Sequence, residues 1–204
     1  MPKSDREILA EYLPEKSVDS VLILIHDHQI NLNIKKSRST KLGDFRGPTK
    51  GSPARLSINS DLNPYAFLIT LIHEIAHYLV WKNYKDFRSL QPHGVEWKRT
   101  FQGLMHPYLN TDIFPQKLLI ILQKHMQNPK ASSSSDIKLS QAIKEYDEGD
   151  MPIVLADLAI GDSFLFRGKQ FQIIKKNRSR YLCTEKASQR QYLIHSLAEI
   201  SPLG

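Results

Sequence analysis

The sequence predicts an α+β protein in which a first domain of helices and a small antiparallel sheet precedes a small all-β unit. Apolar residues recur with helical spacing along most of residues 1–127. A short region within that part alternates apolar and polar residues instead, as a half-buried strand does. After residue 150, short runs rich in β-branched and aromatic residues are separated by charged turns, which is typical of a small sheet.

A serine-rich stretch separates these two parts of the chain. Asn128 and Pro129 end a helical pattern, and the four serines of residues 132–135 cannot contribute to a hydrophobic core. We therefore predict a first domain over 1–127, a linker with a short helical piece over 128–150, and the β unit over 151–204.

The first domain is predicted to begin with two helices. Ser4 and Glu7 have the spacing of a capping box for a short first helix, which Pro14 ends. Apolar residues with helical spacing then predict a second helix from Val18 to about His28.

Three short strands should follow these helices. Residues 30–35 alternate isoleucine or leucine with polar side chains, and residues 41–48 and 54–60 form two further short segments punctuated by glycine and proline. We expect the three strands to form an antiparallel sheet.

Three longer helices complete the first domain. Asn63 as N-cap and Pro64 as the first helical residue start a helix that runs to about Lys82. This helix is apolar nearly all round, so it should be buried. A second helix is expected over about 93–105, and a third begins at residue 115.

The β unit is predicted to consist of short strands within residues 164–166, 171–174, 181–184 and 191–194. Alternation in such short strands requires their aromatic rings to form the core rather than an exposed stacking surface. Those rings are Phe164, Phe171, Tyr181 and Tyr192.

The net charge of +7 is concentrated in two basic regions. The first contains Asp44 as its one acid and seven basic residues: Lys35, Lys36, Arg38, Lys41, Arg46, Lys50 and Arg55. The second contains Glu185 as its one acid and eight basic residues: Arg167, Lys169, Lys175, Lys176, Arg178, Arg180, Lys186 and Arg190. Such regions can bind a polyanion such as DNA, because neutralising phosphates releases counterions. The alternative is a moderately basic surface without a nucleic-acid partner.

The sequence also predicts the compartment. No apolar run approaches the roughly 20 residues needed to cross a bilayer, and the amino terminus lacks the apolar stretch of a secretory signal. Cys183 is the single cysteine, so no internal disulfide can form, which fits a reducing compartment. We expect a cytoplasmic protein without a membrane partner.

A metal site is predicted by HEIAH at residues 73–77. His73 and His77 lie one turn apart on the same face of the buried helix, so both imidazoles can bind one ion. Glu74 would lie beside the ion, where a general base can take a proton from a water molecule. Two core histidines satisfied by hydrogen bonds are the alternative.

The third ligand must come from another segment. A metzincin would have glycine and histidine where this chain has Val80 and Asn83, so that class is excluded. Glu96 and His93 remain as candidates. We favour His93, because on a helix starting there it would share the buried face with Trp97, whereas Glu96 would lie on the solvated shoulder.

The remaining histidines give weaker signals. His26, His28 and His106 suit helix ends, whereas His125 and His195 show no pattern that predicts a role.

HEIAH, a variable insert and then HGVEW, preceded by a strand reading LSINSDL, resemble the SprT-like family of zinc metallopeptidases, which includes the eukaryotic Spartan proteases. The similarity covers roughly residues 1–125. It implies a zincin-like fold in which His73, His77 and His93 bind Zn²⁺ and Glu74 is catalytic. Many relatives add a carboxy-terminal zinc ribbon, from which this chain departs because Cys183 stands alone. The β unit is therefore expected to be a small metal-free β-barrel or a degenerate ribbon.

The resemblance implies a zinc-dependent endopeptidase whose protein substrates are associated with, or crosslinked to, DNA. The two basic regions agree with that function. The competing hypothesis is a zinc-containing nucleic-acid-binding or regulatory protein without significant protease turnover.

Overall fold

The structure is a computed structural model that describes residues 2–84, 86–130, 136–147 and 153–203. The chain divides into two compact units, residues 1–148 and 149–204. The serines expected in the linker lie outside the described residues. Within the described ranges, no helix combines the length and the apolar character needed to span a lipid bilayer.

The first two helices of the first unit agree with the prediction. Helix α1 spans Asp5–Ala10, and the capping box is complete: the Ser4 hydroxyl accepts from the Glu7 amide at 3.3 Å, while the Glu7 carboxylate accepts from the Ser4 amide at 2.7 Å. Helix α2 spans Val18–His28 and ends at Gln29, whose φ of 54° is left-handed.

The sheet of the first unit has the order β1-β3-β2, with β1 at Leu32–Lys35, β2 at Gly43–Arg46 and β3 at Arg55–Asn59. Strand β2 pairs antiparallel with β3, but β1 runs parallel to β3. The prediction of a purely antiparallel sheet is therefore wrong for β1. Alternation of apolar residues reports which face of a strand is buried, and it carries no information on the direction of the neighbouring strand.

Helix α3 spans Pro64–Asn83 and forms the centre of the first unit. The Asn63 side chain accepts a hydrogen bond from the Ala66 amide at 2.9 Å, as expected of an N-cap. Twelve residues of the helix are buried, because β2 and β3 cover one side and α4 covers another. Helix α4 spans Val95–Met105, which agrees with the helix expected over about 93–105, and α5 spans Gln116–Met126.

The predicted linker is partly a structured element of the first unit. Helix α6 spans Ile137–Lys144 and buries Leu139, Ala142 and Ile143 in the core of that unit. The Asn63 amide group donates to the Ile143 carbonyl at 3.0 Å and so fastens α6 to the start of α3. The apolar spacing within 139–143 was the sequence signal for this buried face, and it extends the first unit beyond residue 127.

The second unit is one antiparallel sheet with the order β7-β6-β5-β4-β8. Its strands are β4 at Ser163–Phe166, β5 at Lys169–Asn177, β6 at Arg180–Glu185, β7 at Gln191–His195 and β8 at Ser201–Leu203. Strands β7 and β8 lie at the two ends of this strand order. Strand β8 escaped prediction because proline, which edge strands tolerate, interrupts its pattern.

Three of the four aromatic residues predicted to form the core of the β unit do so. Phe164, Phe171 and Tyr181 are buried, together with Cys183. Tyr192 is 39% exposed, because it lies on the edge strand β7.

Candidate metal centre

Three histidine side chains converge in the first unit. His73 and His77 lie one turn apart on α3, and His93 lies in the turn before α4. The Nε2 atoms are 3.1 Å apart between His73 and His77, 2.9 Å between His77 and His93, and 3.2 Å between His93 and His73. Within the described part of the chain, these three residues form the group that could hold a metal ion.

This arrangement fits a metal ion better than it fits a hydrogen-bonded core. A proton can link one pair of ring nitrogens, so it leaves the third nitrogen of the triangle without a partner. In a tetrahedral site with Zn–N bonds of about 2.0–2.1 Å, the nitrogens would lie about 3.3 Å apart, close to the observed spacing. Three imidazole nitrogens also suit Zn²⁺ as a donor set.

His93 reaches the site through the backbone of a turn rather than through the face of a helix. Its φ is 61°, a left-handed conformation that costs an ordinary residue about 1–2 kcal/mol. The next residue, Gly94, donates its amide to the Gln91 carbonyl at 2.8 Å and serves as the N-cap of α4. A Cβ atom on Gly94 would lie only 2.9 Å from that carbonyl oxygen. The helix-face argument for His93 is therefore wrong in its geometry, although the residue joins the other two.

The buried indole of Trp97 supports all three histidine rings. Its ring centroid lies 4.6 Å from that of His73, 5.4 Å from His77 and 4.7 Å from His93. The Trp97 Nε1 group donates to the His73 carbonyl at 3.4 Å, and the ring stacks on Phe101 at 4.9 Å. These contacts limit the rotation of each imidazole and therefore hold the three nitrogens in place.

Burial keeps the three imidazoles neutral in the metal-free protein. Desolvation, with smaller contributions from the neighbouring histidines, lowers the pKa of His73 to about 3 and that of His77 to about 4. Desolvation also lowers the pKa of His93. Neutral rings offer their lone pairs to a metal ion, so protons compete weakly for this site.

Glu74 lies beside the histidines and is only 8% exposed. Burial, followed by the charge of Asp44, raises the pKa of its carboxyl to about 7, while a hydrogen bond from the Phe45 amide opposes the increase. Strand β2 approaches Glu74 closely at Gly43, where a Cβ atom would lie 2.8 Å from Glu74 Cγ and 2.8 Å from Thr70 Cγ2. The glycine therefore allows the strand to pack directly against the carboxylate.

The histidines and Glu74 open into one cavity of about 700 Å³. Residues 39–45, which contain β2 and the loop before it, form one wall. Residues of α5 and α6 form another, and they include His125, Ser140 and Lys144. The cavity is large enough for several residues of an extended peptide.

His125 lines this cavity, although no pattern in the sequence predicted a role for it. It is only 6% exposed, and its Nδ1 lies 3.0 Å from a carboxylate oxygen of Asp136. A signal was present in α5, because His125 continues the buried stripe of Leu118 and Leu122 at helical spacing. A histidine on the buried face of a helix needs a polar partner, which lies eleven residues further along the chain.

The other candidate residues lie outside the group of three histidines. Glu96 is partly exposed near the start of α4, and its backbone carbonyl accepts from the Thr100 hydroxyl at 2.8 Å. The His28 carbonyl accepts from the Tyr78 hydroxyl at 2.8 Å, and His195 Nδ1 accepts from the Leu197 amide at 3.2 Å.

The two basic regions differ in how many of their basic side chains form hydrogen bonds or ion pairs within the protein. In the first region, Arg38 binds Asn59 and Ser57, while Lys41 and Arg46 both pair with Asp44. All eight basic residues of the second region are exposed, and Lys169 pairs with Glu185. The second region therefore presents the larger set of exposed cations.

Comparisons of the chain with protein-family models, with curated proteins and with solved structures found no match. The geometry of the site and the chemistry of its residues therefore carry the functional argument. They define a mixed α and β protein with a three-histidine site that could bind a metal ion.

Proposed function

We propose that this chain is a zinc-dependent endopeptidase with a zincin-like, SprT-like catalytic unit. One observation carries the proposal: three imidazole nitrogens suited to one ion and a buried carboxylate open into the same cavity. Structural zinc sites are closed by four protein ligands, whereas catalytic sites use three and keep one position for water or substrate. A set of three histidines facing a cavity agrees with the catalytic kind.

The residues of the site have separate tasks in peptide hydrolysis. A zinc ion held by His73, His77 and His93 would supply Lewis acidity to a peptide carbonyl and to a water molecule. The Glu74 carboxylate takes a proton from that water molecule and passes it to the nitrogen of the leaving amine. Burial favours this role, because it brings the pKa of Glu74 to about 7, near the pH at which the protein would work.

Strand β2 offers a binding site for the substrate backbone. One side of β2 pairs with β3, and the strand forms an edge of its sheet beside the cavity. An extended peptide can add to such an edge through main-chain hydrogen bonds. Because Gly43 brings the strand against Glu74, a peptide bound there would lie next to the carboxylate.

We further propose DNA as a partner, with protein substrates that are associated with or crosslinked to DNA in the cytoplasm. The exposed cations of the second basic region support this partner, since phosphate contacts supply affinity that is independent of sequence. The same cations also support the competing function of a zinc-containing nucleic-acid-binding or regulatory protein. The two functions differ in whether Glu74 is needed for peptide cleavage.

Glu74→Gln tests that difference. The variant should retain the wild-type zinc content, because the amide leaves the three histidines in place, and it should lose cleavage of a disordered protein such as casein. Glu96→Gln is the matched control: it removes a nearby carboxylate outside the histidine group and should cleave like wild type. The wild type and the Glu74→Gln variant should each be assayed with and without single-stranded DNA. Equal behaviour of wild type and Glu74→Gln would refute the peptidase proposal.

The metal ligands can be tested separately by metal analysis of the purified protein. His93→Ala should lose most of the bound zinc, and Glu96→Ala should retain it, because the Nε2 triangle includes residue 93 and not residue 96. If His93→Ala retained zinc and Glu96→Ala lost it, the third ligand would be the Glu96 carboxylate and not His93.

A further inference from the structure

Residues 36–42 connect β1 to β2 and form part of the cavity wall. Because β3 lies between those two strands in the sheet, the connection passes the end of β3, at Asn59. We call residues 36–42 the crossover segment. Its residues 39–42 line the cavity that contains Glu74 and the three histidines.

Asn59 fastens the crossover segment through both its backbone and its side chain. Its backbone amide donates to the Leu42 carbonyl at 2.9 Å. Its Nδ2 group donates to the Lys41 carbonyl at 2.9 Å and to the Arg38 carbonyl at 3.2 Å. Its Oδ1 atom accepts from Arg38 Nε at 2.8 Å. One residue that is only 1% exposed therefore holds three positions of the segment.

The guanidinium of Arg38 adds a second attachment to the same strand. Besides Asn59, it donates to the Ser57 hydroxyl at 3.0 Å and to the Ser57 carbonyl at 3.3 Å. The planar group thus binds two residues of β3 at once, which suits arginine better than lysine. The cation is engaged on the sheet of the first unit, in contrast to the exposed cations of the second basic region.

The contact with Leu42 also shows which main-chain groups of β2 point away from β3. In an antiparallel pair, residues that bond to the partner strand alternate with residues whose N–H and C=O groups point the other way. The Leu42 carbonyl bonds to β3, so Gly43 and Phe45 direct their main-chain groups away from it. The Phe45 amide accordingly donates to the Glu74 carboxylate. The Gly43 groups lie on the same side, where a substrate strand would add.

The beginning of β2 has little room to move. A Cβ atom on Gly43 would lie 2.8 Å from Glu74 Cγ, so the strand packs on the carboxylate at a distance that requires a glycine. The far end of β2 is held by the hairpin that joins it to β3. The near end, beside Glu74, is held by the attachments of Asn59 and Arg38 to the crossover segment.

We propose that Asn59 and Arg38 are positioning residues of the cavity, which hold the crossover segment so that the main-chain groups of Gly43 meet an incoming substrate strand beside Glu74. The inference rests on the proposed peptidase function and adds to it the residues that place the substrate. Both residues act through the backbone of residues 38–43 and not by contact with the substrate. Main-chain hydrogen bonds supply the affinity of an added strand, so a displaced segment weakens substrate binding.

Asn59→Asp tests this role with almost no change in size. The carboxylate can still accept from Arg38, but an oxygen replaces the Nδ2 donor and faces the carbonyls of Arg38 and Lys41. We expect KM for casein to rise about 10-fold, within the 10²-fold that a misplacement of about 1 Å can cost. Zinc content should match wild type, because α3 and the turn before α4 carry the three histidines. Arg38→Lys should raise KM less than Arg38→Ala, since an ammonium can still bind one of the partners.

Val21→Ala is the control for a loss of stability alone. Val21 is fully buried in α2 and does not line the cavity, so its truncation should lower the unfolding midpoint and leave KM unchanged. All variants should be assayed at a temperature at which each is folded. Under that condition, an Asn59 that only stabilised the fold would give the wild-type KM in Asn59→Asp, as in Val21→Ala.

Two further measurements address the mechanism. The double variant Arg38→Ala with Asn59→Ala should raise KM by less than the product of the single effects, because the two side chains bind each other. A product of the two effects would show that they act independently and would overturn the joint role. Fluorescence anisotropy of labelled casein on Glu74→Gln, with and without Asn59→Asp, measures binding without turnover. The dissociation constant should rise by about the same factor as KM.

The outcomes separate this inference from the proposed function. If Glu74→Gln is inactive and Asn59→Asp retains the wild-type KM, the inference is wrong and the peptidase proposal stands. If Arg38→Ala weakens binding of single-stranded DNA and leaves KM unchanged, Arg38 contacts nucleic acid and the inference is wrong. If Val21→Ala raises KM as much as Asn59→Asp, lost stability explains the effect and the inference is wrong. If the wild type shows no Glu74-dependent cleavage, both proposals are refuted.

Discussion

Gly43→Ala is the most direct test of how the edge strand β2 and the Glu74 carboxylate are arranged. In the structure, an alanine Cβ at this position would lie 2.8 Å from Glu74 Cγ, 2.8 Å from Thr70 Cγ2 and 2.9 Å from Glu74 Oε1. Carbon atoms in favourable contact are about 3.5–4.0 Å apart, so β2 and α3 would have to separate by roughly 1 Å.

The size of the effect follows from that displacement. Overpacking of a buried site costs about 1–3 kcal/mol of unfolding free energy. A misplacement of about 1 Å at a catalytic group can reduce the rate by about 10²-fold. We therefore expect Gly43→Ala to lower kcat/KM by about 10²-fold and to lower stability by about 1–3 kcal/mol. Zinc content should not change, since the three atoms nearest to a Cβ at this position belong to Glu74 and Thr70 and not to the histidines.

Urea unfolding, metal analysis and casein cleavage measure the three quantities on one preparation. Gly47→Ala is the control, because its Cβ would lie 3.6 Å from Trp81 Nε1, an ordinary contact, and activity should match wild type. Wild-type activity and stability in Gly43→Ala would refute the close packing of β2 on Glu74.

Three further predictions concern the metal centre and the second unit. Trp97→Phe should weaken zinc binding by about 10- to 100-fold in competition with a chelator, because the indole supports all three imidazoles; unchanged affinity would remove that role. Since folding lowers the pKa of His73 and His77 below the unfolded value of about 6.5, the unfolded chain binds more protons. The unfolding free energy of chelator-treated protein should therefore fall as pH drops from about 6.5 to 4, and a pH-independent value in urea titrations would contradict this. Burial raises the pKa of Cys183 to about 11, so a thiol reagent at pH 8 should label it only after denaturation, and rapid labelling of the native protein would show that the thiol is accessible.

The sequence was most informative where one local rule determines the structure. Helix α3 has an asparagine cap, a proline at its first position and an apolar surface, so its start and its burial follow from local chemistry. His73 and His77 share a face of that helix whatever surrounds it. For these residues, spacing alone was enough to predict convergence.

The sequence was less informative where distant segments meet. The direction of β1 depends on how the chain returns to the sheet, which no pattern within the strand encodes. The approach of His93 depends on a left-handed turn, for which a histidine gives a weak local signal. The contact between His125 and Asp136 joins residues on either side of a serine-rich segment. The local sequence around one residue therefore does not predict the other as its partner.

The hydrogen bonds from Asn63 to the Ile143 carbonyl at 3.0 Å and to the Asp147 carboxylate at 2.6 Å have a practical consequence. They connect the beginning of α3, the helix that contains His73 and His77, to residues some eighty positions later. A shortened protein that stops at residue 127 would lack this closure, would expose the apolar surface beneath α6 and would have no carboxylate for His125. An autonomous fragment that contains the three-histidine site has to extend at least through Asp147.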